Sequence, residues 1–269
     1  MVMGIINCTP DSFFPDSRRT VAEAAYAAAM TMVEEGADIL DVGGESTRPG
    51  SDSVDAAEEM DRVVPALRRI RRNVDIPISI DTQKASVARA CLDEGADMIN
   101  DVSALGADPE MLATVAASRA EVCLMHMRGT PKDMQRRTEY DDLMGEITAF
   151  LAERARLCEE NGIGRDRIWL DPGIGFAKTA EDNLKILNRL PTIKHEGYSV
   201  LVGVSRKSFL GKILVAEGDD PAPVDERLVG SVAANLIAAI HGADCLRVHD
   251  VKATVEALRV LEAIRSAGD

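Results

Sequence analysis

Short runs rich in Val, Ile and Leu recur along the chain without alternating apolar and polar positions: Val2–Ile6, Ile39–Val42, Ile76–Ile80, Met98–Val102, Val122–Met125, Ile168–Leu170, Val200–Val204 and Cys245–Val248. Runs of this length with no polar face predict strands covered on both sides, the usual condition of a parallel sheet. Between them lie stretches of helical periodicity at Val21–Glu35, Ala56–Arg72, Ser86–Glu94, Pro109–Ser118, Leu143–Asn161, Ala180–Leu190, Glu226–Ile240 and Lys252–Ala267. Three of these end in Gly-Ala-Asp and an apolar residue, at 36–38, 95–97 and 242–244. One helix-to-strand turn is thus used repeatedly, with Gly taking the helix end.

Eight such units in about 250 residues, with no Pro/Gly/Ser linker and no low-complexity tract, predict a single α/β domain over 1–269, a (β/α)8 TIM barrel. A doubly wound dinucleotide fold is disfavoured because no Gly-x-Gly-x-x-Gly follows the first run. Four segments are long for simple βα connections: Cys8–Thr20, Gly43–Asp55, Arg128–Asp142 and Ser205–Asp225. In a barrel, loops of this length are usually functional.

Polar residues close the predicted strands: Asn7, Asp41, Asp81, Asn100 with Asp101, His126, Asp171, Ser205-Arg206-Lys207, and Arg247 with His249. All of these ends converge on one barrel face, where such enzymes hold their active sites. Capping explains any one Asp or Asn, but it requires no Lys207, Arg247 and His249 on adjacent strand ends. The seventh and eighth strand ends are the common phosphate position of barrels, and period-two spacing turns Arg247 and His249 to one side. These cationic donors imply a phosphorylated or pyrophosphorylated ligand. Asp81, Asn100 and Asp171, expected on the opposite part of the ring, offer acceptors and an amide suited to a flat, nitrogen-rich heterocycle.

Composition narrows the classes further. The 269 residues carry a formal charge of −14, which argues against a nucleic-acid or anionic-membrane partner. Cys8, Cys91, Cys123, Cys158 and Cys245 are widely spaced with no Cys-x-x-Cys pair, so neither a disulfide framework nor a zinc site is expected and the compartment reads as cytoplasmic. No apolar run approaches the roughly 20 residues of a membrane span. Met30, Met32, Met98, Met111, Met125 and Met144 are expected in the core. Cys8 is read as a small apolar residue, His195 and His241 as helix-end groups, and the Arg68–Arg72 cluster as a solvated helix end.

The ordered motifs Met3–Phe13, Asp41-Val-Gly-Gly-Glu-Ser-Thr-Arg-Pro-Gly50, Ile80-Asp-Thr82, Ile99-Asn-Asp101, Leu124-Met-His-Met127, Leu170-Asp-Pro-Gly-Ile-Gly-Phe176, Ser205-Arg-Lys207 and Arg247-Val-His-Asp250 run the length of the chain. Together they resemble the dihydropteroate synthase family. The resemblance implies condensation of 6-hydroxymethyl-7,8-dihydropterin pyrophosphate with 4-aminobenzoate, releasing pyrophosphate and 7,8-dihydropteroate. It implies that Asp81, Asn100 and Asp171 hold the pterin, with Met125 against its ring and Lys207 bonded to it. It further implies that Asn7 ligates Mg²⁺, that Arg247 and His249 hold the leaving pyrophosphate, and that Thr47, Arg48, Phe176, Ser205, Arg206 and Lys207 shape the aminobenzoate site. A homodimer is implied as well.

The chain departs from the family pattern at Cys8, often Val, and at Phe14–Arg19, which replaces a Ser-Asp-Gly-Gly-like continuation. It also begins almost at the first strand, which predicts a less well covered barrel floor. Three rival readings are a corrinoid-linked methyltetrahydrofolate methyltransferase on the same barrel, an aldolase using Lys207 as a Schiff base, and a pterin-binding protein without catalysis.

Overall fold

The eight apolar runs become eight strands that close on themselves. In the computed structural model, which describes residues 1–9, 18–194, 197–216 and 218–267, the strands are β1 (Val2–Asn7), β2 (Ile39–Gly43), β3 (Ile78–Asp81), β4 (Met98–Asp101), β5 (Glu121–Met125), β6 (Ile168–Asp171), β7 (Ser199–Val202) and β8 (Cys245–Val248). All pair in parallel with their sequence neighbours, and β1 pairs with β8. The helices are α1 (Arg18–Glu34), α2 (Ala56–Arg71), α3 (Ala85–Asp93), α4 (Met111–Ala116), α5 (Leu143–Glu160), α6 (Ala180–Asn188), α7 (Leu190–Lys194), α8 (Ser208–Ile213), α9 (Leu228–Ile240) and α10 (Val251–Ser266). The predicted (β/α)8 barrel is therefore observed. Residues 10–17, which carry most of the Phe14–Arg19 departure, and His195 lie outside the described residues.

The Gly-Ala-Asp repeat has a structural cause. Gly36, Gly95 and Gly242 have φ of +96°, +90° and +100°, where a Cβ is strained. Each following Asp then grips one residue at the start of the preceding strand twice. Its N–H donates to that residue's carbonyl, and its carboxylate accepts that residue's N–H. The pairs are Asp38 with Val2, Asp97 with Ile78 and Asp244 with Val200, all at 2.7–2.9 Å. Strand starts at the barrel bottom would otherwise leave backbone groups without partners.

The predicted helix Ala180–Leu190 is corrected to two helices, α6 and α7. Pro191 has no N–H to give the Leu187 carbonyl, so the helix cannot continue through it. His241, at the end of α9, bonds to that carbonyl through Nδ1 at 2.7 Å. The expectation for His241 as a helix-end group thereby acquires a specific partner.

Period-two alternation sorts the barrel interior into layers. Met3, Ile39, Met98, Cys123, Trp169, Leu201 and Cys245 form one buried cluster at the bottom. Trp169 Nε1 donates to Glu121 Oε2 at 2.5 Å. Two residues further along the same strands come Ile5, Asp41, Asn100, Met125, Asp171 and Arg247. The interior thus changes from apolar to charged within about 7 Å of strand rise.

Candidate active site

That second layer is buried yet ionic. Asp41 is fully buried, with Asp81 and Asn100 on the neighbouring strands almost as enclosed. Arg247 reaches inward from β8 and donates from Nε to Asp41 Oδ2 at 2.6 Å and from Nη2 to Asp81 Oδ2 at 2.8 Å. Asn100 Nδ2 donates to the same Asp41 oxygen at 3.3 Å. Asp81, expected on the opposite part of the ring, stands three strands away from β8, and the guanidinium is long enough to bridge the narrow interior and meet both carboxylates. Asp41 Oδ1 is buried with no hydrogen-bond partner, so a donor entering the site has an acceptor waiting. Burial first, and then Asp41 nearby, push the Asp81 carboxyl upward against the pull of Arg247.

At the seventh and eighth strand ends, Arg206 has φ +56°, an uncommon conformation for a side chain of its size. Two contacts hold it there: its N–H donates to Ser231 Oγ at 2.9 Å, and its carbonyl accepts from Arg227 Nη1 at 3.0 Å. The turn separates Arg206 from Lys207. Arg206 is bidentate on Asp250, at 2.8 and 2.5 Å. His249 meets Ser205 twice, by its backbone N–H at 3.2 Å and by Nδ1 at 3.1 Å. Ser205 Oγ therefore accepts from the His249 backbone N–H and pairs with the ring at Nδ1, which holds the imidazole in one orientation.

Two expectations about this region are corrected. Burial, and next the Arg247 charge, push His249 down to about 4, so it is a neutral donor at pH 7 and not a cation. Arg206 is likewise no free cation, because Asp250 neutralises it. Arg247 is paired in the same way, with Asp41 and Asp81, whereas Lys207 is hydrogen-bonded to the Ile174 carbonyl and not to a carboxylate.

Asp171 ends β6 beside Met125, its register partner on β5. Its Oδ1 accepts the Gly173 N–H at 2.7 Å. Gly173 has φ +70°, and a Cβ there would lie 1.9 Å from the His126 carbonyl oxygen, so only glycine fits. Downstream in the same turn Gly175 is held from both sides, its N–H donating to Asn183 Oδ1 at 2.7 Å and its carbonyl accepting from Gln135 at 2.9 Å. Lys207 Nζ donates to the Ile174 carbonyl and sits 4.7 Å from the centre of the Phe176 ring, a cation–π contact. Burial lowers Lys207 to about 8, although Asp171 opposes the shift.

The segment after β2 carries Thr47, half-buried, and Arg48, exposed. Its base is held by a cluster that sequence reasoning missed. Lys84 bridges Glu45 and the fully buried Glu59, the latter at 2.6 Å, while Arg62 Nη1 donates to the Gly44 carbonyl at 2.8 Å. No motif marks these residues, because Glu59 and Lys84 lie within or beside ordinary helical patterns. Cys8 is buried, its thiol pushed up to about 12, consistent with the apolar reading and with no nucleophile.

The half-buried Asn7 stands in register with Gly43 at the end of β1. Among the described residues no group of three or more His, Cys, Asp or Glu is arranged to hold a metal ion. A lone amide oxygen suits Mg²⁺ only where phosphates and waters complete its shell. Asn7 fits that role in the company of a pyrophosphorylated substrate.

The pterin binding enzyme family matches residues 3–249. The chain belongs to that family, whose barrel the geometry above reproduces. Within it, the relatives are dihydropteroate synthases. One from Synechocystis sp. is 48% identical over 98% of this chain and 89% of its own length. The Xanthomonas albilineans enzyme, solved with 4-aminobenzoic acid, is 46% identical with a TM-score of 0.90, covering 98% of this chain and 92% of that one. The same enzyme solved with 7,8-dihydropteroate matches at 43% identity and a TM-score of 0.87, over 98% and 93% of the two chains.

Proposed function

We infer that this chain is a dihydropteroate synthase, joining 6-hydroxymethyl-7,8-dihydropterin pyrophosphate to 4-aminobenzoate with release of pyrophosphate. The observation that carries the reading is the buried layer in which Asp41, Asp81, Asn100 and Asp171 offer acceptors immediately beside Arg247 and Lys207. Asp81, Asn100 and Asp171 receive the N–H edge of the pterin, Met125 lies against its ring, and Lys207 bonds to it from above Phe176. Arg247, with one guanidinium nitrogen uncommitted to Asp41 or Asp81, and His249 face the leaving pyrophosphate. Thr47, Arg48, Phe176 and Ser205 border the aminobenzoate, and Arg206 supports that side through Asp250. Asn7 contributes an oxygen to Mg²⁺, which when bound neutralises charge on the pyrophosphate.

As the C–O bond to pyrophosphate breaks, negative charge grows on oxygens that Arg247 and His249 stabilise, and the electron-rich pterin bears the positive charge left on its methylene carbon. The aniline nitrogen then bonds to that methylene carbon, and the strongly acidic proton it now carries in excess passes to solvent. An arylamine is unprotonated near pH 7, so no strong general base is needed.

Five buried, unpaired cysteines support a reducing, cytoplasmic setting; among the described residues no helix is long and apolar enough to cross a membrane. An apolar groove between α6, α8 and α9, with Leu184, Ile213, Leu214 and Ile237 exposed around it, supports a homodimer built on that face. The deciding experiment is a pyrophosphate-release assay with both substrates. Release that depends on 4-aminobenzoate is expected. Methyl transfer from a methylated folate without pyrophosphate would favour the corrinoid-linked reading, borohydride trapping at Lys207 the aldolase, and tight pterin binding without turnover a binding protein.

A further inference from the structure

Lys178 plays no part in the reaction described above, yet its side chain is enclosed beneath the active site, with only 3% of the residue exposed. It follows Phe176 by two residues and precedes the capping box of Thr179 and Asp182 that starts α6. Its ammonium has three donors and three acceptors around it. They are the Phe176 carbonyl at 2.9 Å, His126 Nδ1 at 3.0 Å and the His126 carbonyl at 3.4 Å. The imidazole is set by its neighbours: Phe150 meets it edge-on at 5.1 Å, and Tyr140, tilted at 6.1 Å, donates its hydroxyl to the Ala177 carbonyl.

An ammonium is a poor way to fill a cavity, because an apolar chain of similar length avoids the desolvation penalty. What the cation supplies is a fixed distance between two segments. The His126 carbonyl is the point where the end of β5 touches Gly173, and the Phe176 carbonyl belongs to the residue whose ring lies under Lys207. Burial holds Lys178 down at about 7, with the Lys207 and Arg128 charges in the same direction and Asp171 and Asp182 opposing. The group is thus held against its own hydration preference.

We propose that Lys178 is a positioning residue for the arylamine side of the site, tying the β5 end to the loop after β6 so that Phe176 presents a preformed wall to the incoming amine. This rests on the reading that Phe176 borders the aminobenzoate. Lys178 touches no substrate; it acts through Phe176.

The test is a double-mutant cycle on the full-length enzyme with Lys178→Met and Phe176→Ala, reading the KM for 4-aminobenzoate and for the pterin pyrophosphate separately. Lys178→Met is expected to raise the KM for 4-aminobenzoate by about tenfold, with a much smaller change for the pterin substrate. In the Phe176→Ala background the same change should have little further effect, since coupled residues are not additive. Should Lys178→Met not fold, Lys178→Gln, which keeps two N–H donors on a shorter stem, carries the same cycle. An unchanged 4-aminobenzoate KM in the folded Lys178 variant, or a full additive effect on top of Phe176→Ala, overturns the role of Lys178. An unchanged 4-aminobenzoate KM in Phe176→Ala alone overturns the proposal through its premise about the subsite.

Discussion

Arg247 on β8 and Asp81 on β3 are hydrogen-bonded across the mouth of the barrel at 2.8 Å, so the residue proposed to meet the pyrophosphate and one proposed to meet the pterin share one bond. Losing the fork on Arg247 must therefore be felt at both ends of the substrate. Arg247→Lys keeps the charge but cannot reach Asp41, Asp81 and a phosphate together. Turnover is expected to fall by about 10²-fold or more, in line with the loss of one oxyanion donor. Affinity for a pterin lacking pyrophosphate should also weaken, because Asp81 loses its partner. Steady-state kinetics beside calorimetry measure both, and near-normal turnover in a folded variant would move the pyrophosphate away from β8.

Asp171→Ala is expected to abolish pterin binding. The change removes acceptors from a buried heterocycle at about 1–3 kcal/mol for each donor left unpaired, and it also frees the Gly173 N–H that Oδ1 accepts. Asp171→Asn separates the two effects, since its oxygen can keep Gly173 while its amide opposes the ligand's donors. Calorimetry should show both variants losing the ligand; retained affinity in Asp171→Asn would take Asp171 out of the pterin site.

Binding should be ordered, with a sulfonamide or 4-aminobenzoate weak until pyrophosphate and Mg²⁺ are present. The base of the segment after β2 is clamped by Lys84 between Glu45 and Glu59, whereas Arg48, further along the segment, is exposed. An anion at the β8 end draws Arg48 over the site. Titrating a sulfonamide with and without pyrophosphate and Mg²⁺ should show about a tenfold or greater gain in affinity, within the usual range of coupling between sites. Equal affinities would mean a preformed site.

Stability should rise between pH 7 and 8.5 in part because of Lys178. Its folded value of about 7 lies below the unfolded value, so over this interval the unfolded chain binds more protons and stability increases with pH. The contribution is on the order of 1 kcal/mol for one group shifted across such a window. Denaturant titrations at the two pH values should show a smaller rise in Lys178→Met than in the unaltered protein. Equal slopes would show that Lys178 stays fully protonated in the fold.

The strands were legible because each is covered on both faces, which leaves a continuous apolar run, and the barrel was legible because the Gly-Ala-Asp clasp repeats with its strand. The ring of functional side chains followed from period-two alternation and from the polar residue at each strand end. The break at Pro191 was open to the same reading, since a proline cannot supply the N–H that α6 needs; the His241 bond to Leu187 was not.

What the linear pattern could not contain are relations set by distance across the barrel. Whether Arg247 meets a phosphate or two carboxylates depends on how far a guanidinium reaches over a closed sheet, and that is a property of barrel diameter. The charge of His249 depends on how deeply Ser205 and Arg247 enclose it. Lys178 looks in sequence like any solvated lysine before a helix, and becomes a buried pin only because β5 brings the His126 carbonyl and ring against it. The sequence by itself determined which residues line the mouth, through period and spacing along each strand. Their partners and protonation states were decided by the tertiary structure, because burial and pairing energies depend on neighbours from other strands.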